Sequence, residues 1–183
     1  MRIGLVGSRL SFAPQGALKG YGMKRREQAR QIALQALYQL DLRKEEVDPL
    51  IVEFLRESTS DPEVYFFARR LTEGAWAFRA EADRLIGEAA EHWRLERMAA
   101  IDRNILRLAT YEIAQCPDVP VRVVIDQAIE LAKRFSAAES GAFVNGVLDK
   151  ILRTVKGEDA GKSAAAPTSQ DAPEAPKEAK AGE

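Results

Sequence analysis

Four cations stand within seven residues near one end of the chain: Lys24, Arg25, Arg26 and Arg30, against a single acid, Glu27. On a helix they fall in the opening turns, where the positive end of the macrodipole makes each exposed cation unfavourable by about 0.3–1 kcal/mol. A helix selected for stability alone would carry acids there. Two readings fit the cluster. It is a solvated helix end in which Glu27 relieves Arg30 through an i, i+3 pair, or it is an anion site, for which several arginine forks suit a nucleic-acid phosphate backbone. Three or four charges make a small patch, so tight binding would also need base contacts or a helper protein.

A second constellation lies about a hundred residues further on. Phe135 and Phe143 flank Ser136-Ala137-Ala138-Glu139, whose spacing is that of a capping box at a helix start. Aromatic rings at a helix junction can stack on unpaired bases. Phe135 is in phase with an apolar stripe and on pattern alone belongs to the core, whereas Phe143 sits at the edge of its stripe and fits either role. Lys133 and Arg134 give this junction a second small basic spot.

Catalytic chemistry has little to stand on. Cys116 is the one cysteine and precedes Pro117, with no histidine beside it to activate the thiol. His92, the one histidine, cannot build a triad or a histidine metal site within one chain. Glu45 and Glu46 are ordinary residues of a helix flank. Asn145-Gly146 falls inside an apolar helix, where the glycine is expected to permit close helix packing. No glycine-rich phosphate loop or Cys/His metal spacing is present. The expectation is a binding factor with no cofactor and no metal, not an enzyme.

The elements that must hold these residues are helices. The chain has 183 residues, 46% of them hydrophobic, enough for one packed domain or two small ones. No run approaches the roughly 18 apolar residues of a membrane span. From Met23 to Val155 the apolar residues recur at helical period and no stretch alternates at period 2. The first stripe is Ala29, Ile32, Ala33, Ala36, Leu37 and Leu40. Asp48-Pro49 and Asp61-Pro62 each read as an N-cap acid followed by proline at the first helical position. Gly74 and Gly87 mark points of close contact or breakage in a long proline-free stretch. A run through Met98, Ile101, Ile105, Leu108 and Ile113 ends before Pro117. Pro120 then opens a stripe of Val121, Val124, Ile125, Ala128, Leu131, Ala132 and Phe135, and Val144, Val147, Leu148, Ile151, Leu152 and Val155 form the last. The pattern predicts an all-α, compact bundle of six or seven helices, arranged as two packed three-helix sub-bundles of roughly 23–90 and 95–156.

The net charge of -1 conceals a polarised chain. Residues 1–22 carry +3, residues 23–40 carry +3, residues 41–156 carry -4 and residues 157–183 carry -3. The last of these is rich in Ala, Pro, Gly, Ser, Glu and Lys, a composition with too little to bury, and is expected to be a disordered tail. Residues 1–22 are broken by Gly4, Gly7, Pro14, Gly16, Gly20 and Gly22 and read as a disordered extension. Since periodic sequence begins at Met23, the native start is expected there.

Three stretches resemble the bacterial NusB family of transcription antitermination factors: Arg25-Arg26…Ala29-Arg30…Ala33-Leu34-Gln35-Ala36-Leu37-Tyr38-Gln39; Arg103…Ile105-Leu106-Arg107-Leu108-Ala109…Tyr111-Glu112-Ile113; and Val124 through Phe135 followed by Phe143-Val144-Asn145-Gly146-Val147-Leu148-Asp149-Lys150. The similarity runs over roughly 24–155. It implies a cytoplasmic, all-helical factor that binds the boxA element of ribosomal RNA leader transcripts. Its partner would be NusE, a small-subunit ribosomal protein, within the RNA polymerase antitermination complex. Carried over by position, the resemblance makes Lys24, Arg25, Arg26 and Arg30 RNA contacts, places Lys133, Phe135 and Phe143 near the RNA, and makes Glu139 an acidic position that modulates affinity. Two departures stand out. Glu27-Gln28 occupies a place where relatives often continue with bases, and Asp126-Gln127 replaces a more usual Asn-Glu. Two other functions are compatible with a helical bundle: an adaptor that binds proteins and never RNA, and a stand-alone relative of the RNA-binding domain of a ribosomal RNA cytosine methyltransferase. The chain has no glycine-rich βαβ unit to methylate with.

Overall fold

A computed structural model describes residues 25–43, 47, 49–90 and 93–157. The expectations for residues 1–22, Lys24, Glu45, Glu46, the cap at Asp48, His92 and the tail beyond residue 157 fall outside the described residues. The described residues hold seven α-helices and one 3-10 turn, without a strand. None of the helices is long and apolar enough to cross a membrane.

Helix α1 (Arg25–Arg43) buries its whole predicted stripe, from Ala29 to Leu40. It also buries Leu34, because the helix is covered on two sides, most extensively by α3 and then by α5. Each fully buried leucine of that stripe contributes on the order of 1.5–3 kcal/mol. Helix α2 (Pro49–Glu57) is short and closes over α1 and α3 through Ile51 and Leu55. Helix α3 (Pro62–Ala77) starts as expected: Asp61 is extended (φ -83°, ψ 115°), and its Oδ1 accepts from the N–H groups of Glu63 (2.9 Å) and Val64 (3.5 Å).

The proline-free stretch breaks at Phe78, which is at once the C-cap of α3 and the N-cap of α4 (Arg79–Ala89). Arg79 stabilises the corner, donating to the Trp76 carbonyl at 2.8 Å with its guanidinium 4.6 Å from the indole centre. Gly74 is the predicted point of close contact: a Cβ there would lie 2.1 Å from the Tyr111 hydroxyl on α5. Gly87 and Gly146 are not. A Cβ at either meets nothing within 4 Å, so Gly87 neither breaks α4 nor packs, and Gly146 lies on an exposed face of α7 rather than a tight helix crossing.

Helix α5 (Ala100–Gln115) is the central element, packed by α1, α3, α4, α6 (Val121–Phe135) and α7 (Ser140–Val155). Being surrounded, it buries polar residues as well as apolar ones: Asp102, Asn104, Arg107, Thr110 and Glu112. The division between sub-bundles therefore moves. Helix α4 packs on α5 and α7 and scarcely meets α3, which places it with the second group rather than the first.

A partly buried polar network fastens the far end of α1 to α5 and α4. Asp41 accepts from Arg103 (2.6 Å), Arg107 (2.9 Å) and the Asn104 amide (3.0 Å), and Arg107 forks onto Asp83 at 2.6 and 2.8 Å. Burial would push the Asp41 carboxyl up, but the hydrogen bonds from Arg107 and Arg103 outweigh it and hold the group below its ordinary value. Such a network specifies one arrangement of helices, since removing any member strands a charge.

Candidate nucleic-acid interface

The four cations read from the sequence do not act alike. Arg30 is 4% exposed, and its guanidinium forks onto Glu112 of α5, itself 1% exposed, at 2.9 and 2.7 Å. The expectation that Arg30 contacts RNA, and the alternative that Glu27 relieves it, are both corrected: Arg30 ties α1 to α5 inside the protein. Arg25 stays at the surface but is held at the start of α3, with Nε 2.8 Å from Asp61 Oδ2 and Nη1 2.6 Å from Glu63. These two carboxylates raise its already high pKa. Arg26 is exposed and lays its guanidinium 3.8 Å from the centre of the Phe67 ring, which Arg70 and Arg30 also approach, at 5.1 and 5.7 Å. Among the described residues Arg26 has no carboxylate partner. Lys24 lies outside them.

Across from this helix end lies α6. Between the two runs an open cleft of about 320 Å³, lined from α1 by Glu27 and Gln31 and from α6 by Gln127, Leu131, Lys133 and Arg134, among others. The basic end of α6 thus faces this depression, while α1 presents Glu27 and Gln31 to it and turns Arg26 to the Phe67 ring. Lys133 is ion-paired with Glu130 at 2.8 Å, in the i, i+3 geometry of an exposed helix face. Arg134 is exposed, sits 5.3 Å from the Phe135 ring centre, and has no carboxylate partner among the described residues.

The junction between α6 and α7 is built differently from its sequence pattern. Ser136 is the C-cap of α6, and α7 begins at Ser140 with Glu139 in the N-cap position and no side-chain capping bond. The predicted capping box is therefore absent. The Ser140 hydroxyl instead donates to Asp102 of α5 (3.1 Å) and sits 3.0 Å from the Ser136 hydroxyl, anchoring the corner to the core. Glu139 is exposed on that corner. Phe135 is half-buried and packs against the core, as its phase in the stripe requires. Phe143 is also half-buried, and its ring meets that of Trp93 at 5.8 Å with a 54° tilt.

Four parts of this surface were not legible from spacing: Glu112, Phe67, the double use of Asp61 and Glu63, and Trp93. The first three act through contacts between helices distant in sequence. Trp93 carried a faint signal as a tryptophan in a non-periodic stretch. Chemically, the face offers exposed guanidinium groups, half-buried rings, and carboxamides at Gln31 and Gln127 that have no hydrogen-bond partner among the described residues. Cys116 is buried, and burial pushes its thiol up, away from the reactive thiolate. No cluster of metal-ligating side chains occurs among the described residues.

Comparison with known proteins converges on one family. The NusB family model matches residues 27–153. The chain is similar to the transcription antitermination protein NusB of Symbiobacterium thermophilum, 47% identical over 140 residues that cover 72% of this chain and 92% of that one. It is 43% identical over 133 residues to the NusB of Sorangium cellulosum, covering 73% and 95%. Among solved structures it resembles NusB from T. maritima, with a TM-score of 0.63, 39% identity, and coverage of 70% and 90%. It also resembles a chain in a crystal structure of the antitermination factors NusB and NusE in complex with double-stranded RNA, with a TM-score of 0.65, 30% identity, and coverage of 72% and 98%.

Proposed function

Since the chain belongs to the NusB family of transcription antitermination proteins, we propose that it binds boxA RNA of ribosomal leader transcripts together with NusE. In that role it supports termination-resistant transcription as part of the RNA polymerase antitermination complex. The observation that carries this reading is the basic end of α6, where Lys133 and Arg134 line the cleft against α1, together with Arg26 exposed at the start of α1 on the Phe67 ring; neither arginine has a carboxylate partner among the described residues.

In this reading Arg26 and Arg134 bind phosphates directly. Lys133 exchanges Glu130 for a phosphate, and Lys24 extends the basic end. Arg25 joins only by leaving Asp61 and Glu63. Phe143 and the exposed edge of Phe135 stack on bases. Glu139 stands beside the track as a repelling charge, so its neutralisation raises affinity. The acidic body disfavours RNA elsewhere on the surface. The protein acts by recognition, without catalysis, in the cytoplasm where its transcripts are made.

A gel-shift titration of boxA RNA, with and without NusE, tests the proposal. Binding that tightens when NusE is added is the expected result. NusE binding with no RNA shift in either arm would favour a protein adaptor instead.

A further inference from the structure

We infer that Trp93 is a base-stacking residue that continues the RNA track beyond Phe143, with Arg94 and Arg97 as the phosphate contacts on its far side. The inference rests on the RNA reading above. It starts from an asymmetry: the chain has two tryptophans, and while Trp76 is 5% exposed in the core, Trp93 is 57% exposed. An indole carries a large apolar surface, and leaving it in water is unfavourable unless a partner covers it.

Three features aim this indole at RNA. First, it is braced rather than free, with its ring tilted against Phe143 at 5.8 Å, next to the α6–α7 junction. Second, the segment that carries it is fixed. Met98 is buried, Leu95 packs against the core, and Arg103 donates to the carbonyls of Leu95 (3.2 Å) and Met98 (3.3 Å). The 3-10 turn Leu95–Arg97 closes with Arg97 N–H on the Arg94 carbonyl at 2.9 Å. Third, Arg94 and Arg97 are exposed, and neither has a carboxylate partner among the described residues. An exposed ring on a rigid support, flanked by exposed cations, has the composition of a single-strand stacking platform.

The test uses the full chain, single-stranded boxA RNA, and the variants Trp93→Ala and Trp93→Phe. Trp93→Ala should bind about tenfold more weakly, the loss of one stacked base, while Trp93→Phe keeps affinity to within about threefold. Tryptophan emission of the unaltered protein should be quenched by RNA, and that quenching should vanish in Trp93→Phe, where only buried Trp76 remains. Equal RNA affinity of Trp93→Ala and the unaltered protein overturns the inference, as does quenching that persists in Trp93→Phe. An emission change produced by NusE alone, with a Trp93→Ala defect confined to NusE binding, assigns the residue to a protein contact and also overturns it. No RNA binding by the unaltered protein would take down the functional reading and this inference together. Binding with an indifferent Trp93 would take down this inference alone.

Discussion

Arg30 and Arg26 stand one helical turn apart on α1 and do opposite work. Arg30 belongs to an internal seam, which with the Asp41 network fastens both ends of α1 to α5 through buried charges. Arg26 belongs to an open face, exposed and resting on the Phe67 ring. The residue type is the same and the neighbours differ. A buried guanidinium needs its full complement of acceptors because desolvation is costly, whereas an exposed one resting on an aromatic ring gains only about 0.5–1 kcal/mol from the contact and keeps its donors available. On the proposed function the seam determines fold and the face recognition, so the two should separate under mutation.

The largest effect is expected at the seam. Glu112→Ala leaves Arg30 buried without its carboxylate and should cost about 3–5 kcal/mol in a denaturant titration. Replacing both partners, Arg30→Met with Glu112→Leu, should recover most of that loss and leave boxA affinity unchanged; a double variant that folds yet fails to bind RNA would return Arg30 to the recognition face.

Next is Asp41→Asn, which weakens the hydrogen bonds from Arg103, Asn104 and Arg107 in the far network at a cost of about 1–3 kcal/mol near neutral pH. Its pH dependence follows from the lowered Asp41 pKa. A carboxyl depressed in the folded state contributes stability that is present above its unfolded value, near 3.9, and is lost as pH falls through the folded value. The gap between the variant and the unaltered protein should therefore narrow below about pH 4, and a gap that stays constant down to pH 2 would show that the network does not depend on the Asp41 charge.

On the open face, Arg26→Ala with Arg134→Ala should leave stability within about 0.5 kcal/mol while weakening boxA binding roughly tenfold. The smallest effect is a gain: Gly146→Ala, on an exposed helical surface with free space around the added methyl, should stabilise the protein by about 0.5–1 kcal/mol. Thermal midpoints of the two sets of variants, recorded beside their RNA affinities, would show whether seam and face are independent.

What the sequence made legible follows the same line. The stripes of α1, α6 and α7 could be read because helical burial is periodic, and the Asp61 cap because its rule is local; Val155, expected in the last stripe, is 42% exposed because α7 ends there. The polar residues of α5 could not, since a helix packed on several sides loses the contrast that a stripe depends on, and the partner of Arg30 is 82 positions away. The Ser136–Glu139 spacing satisfied a local rule that tertiary contact overrode: Ser140 found Asp102, and the helix started one turn late for a capping box. Of the candidate site, the two basic spots and both phenylalanines were visible as types and positions. Which cations were free was visible only in three dimensions.

The salt dependence of boxA binding tests the central claim most directly, because it counts the cations that meet phosphates. With about four phosphates neutralised by Lys24, Arg26, Lys133 and Arg134, log K against log salt should have a slope of about -2.8 for a single strand, steeper if Arg94 and Arg97 also meet phosphates. The Arg26→Ala, Arg134→Ala variant should flatten it by about 1.4, since each contact contributes about 0.7. A slope that is the same in both proteins would contradict the account, placing the RNA on some other surface of the bundle.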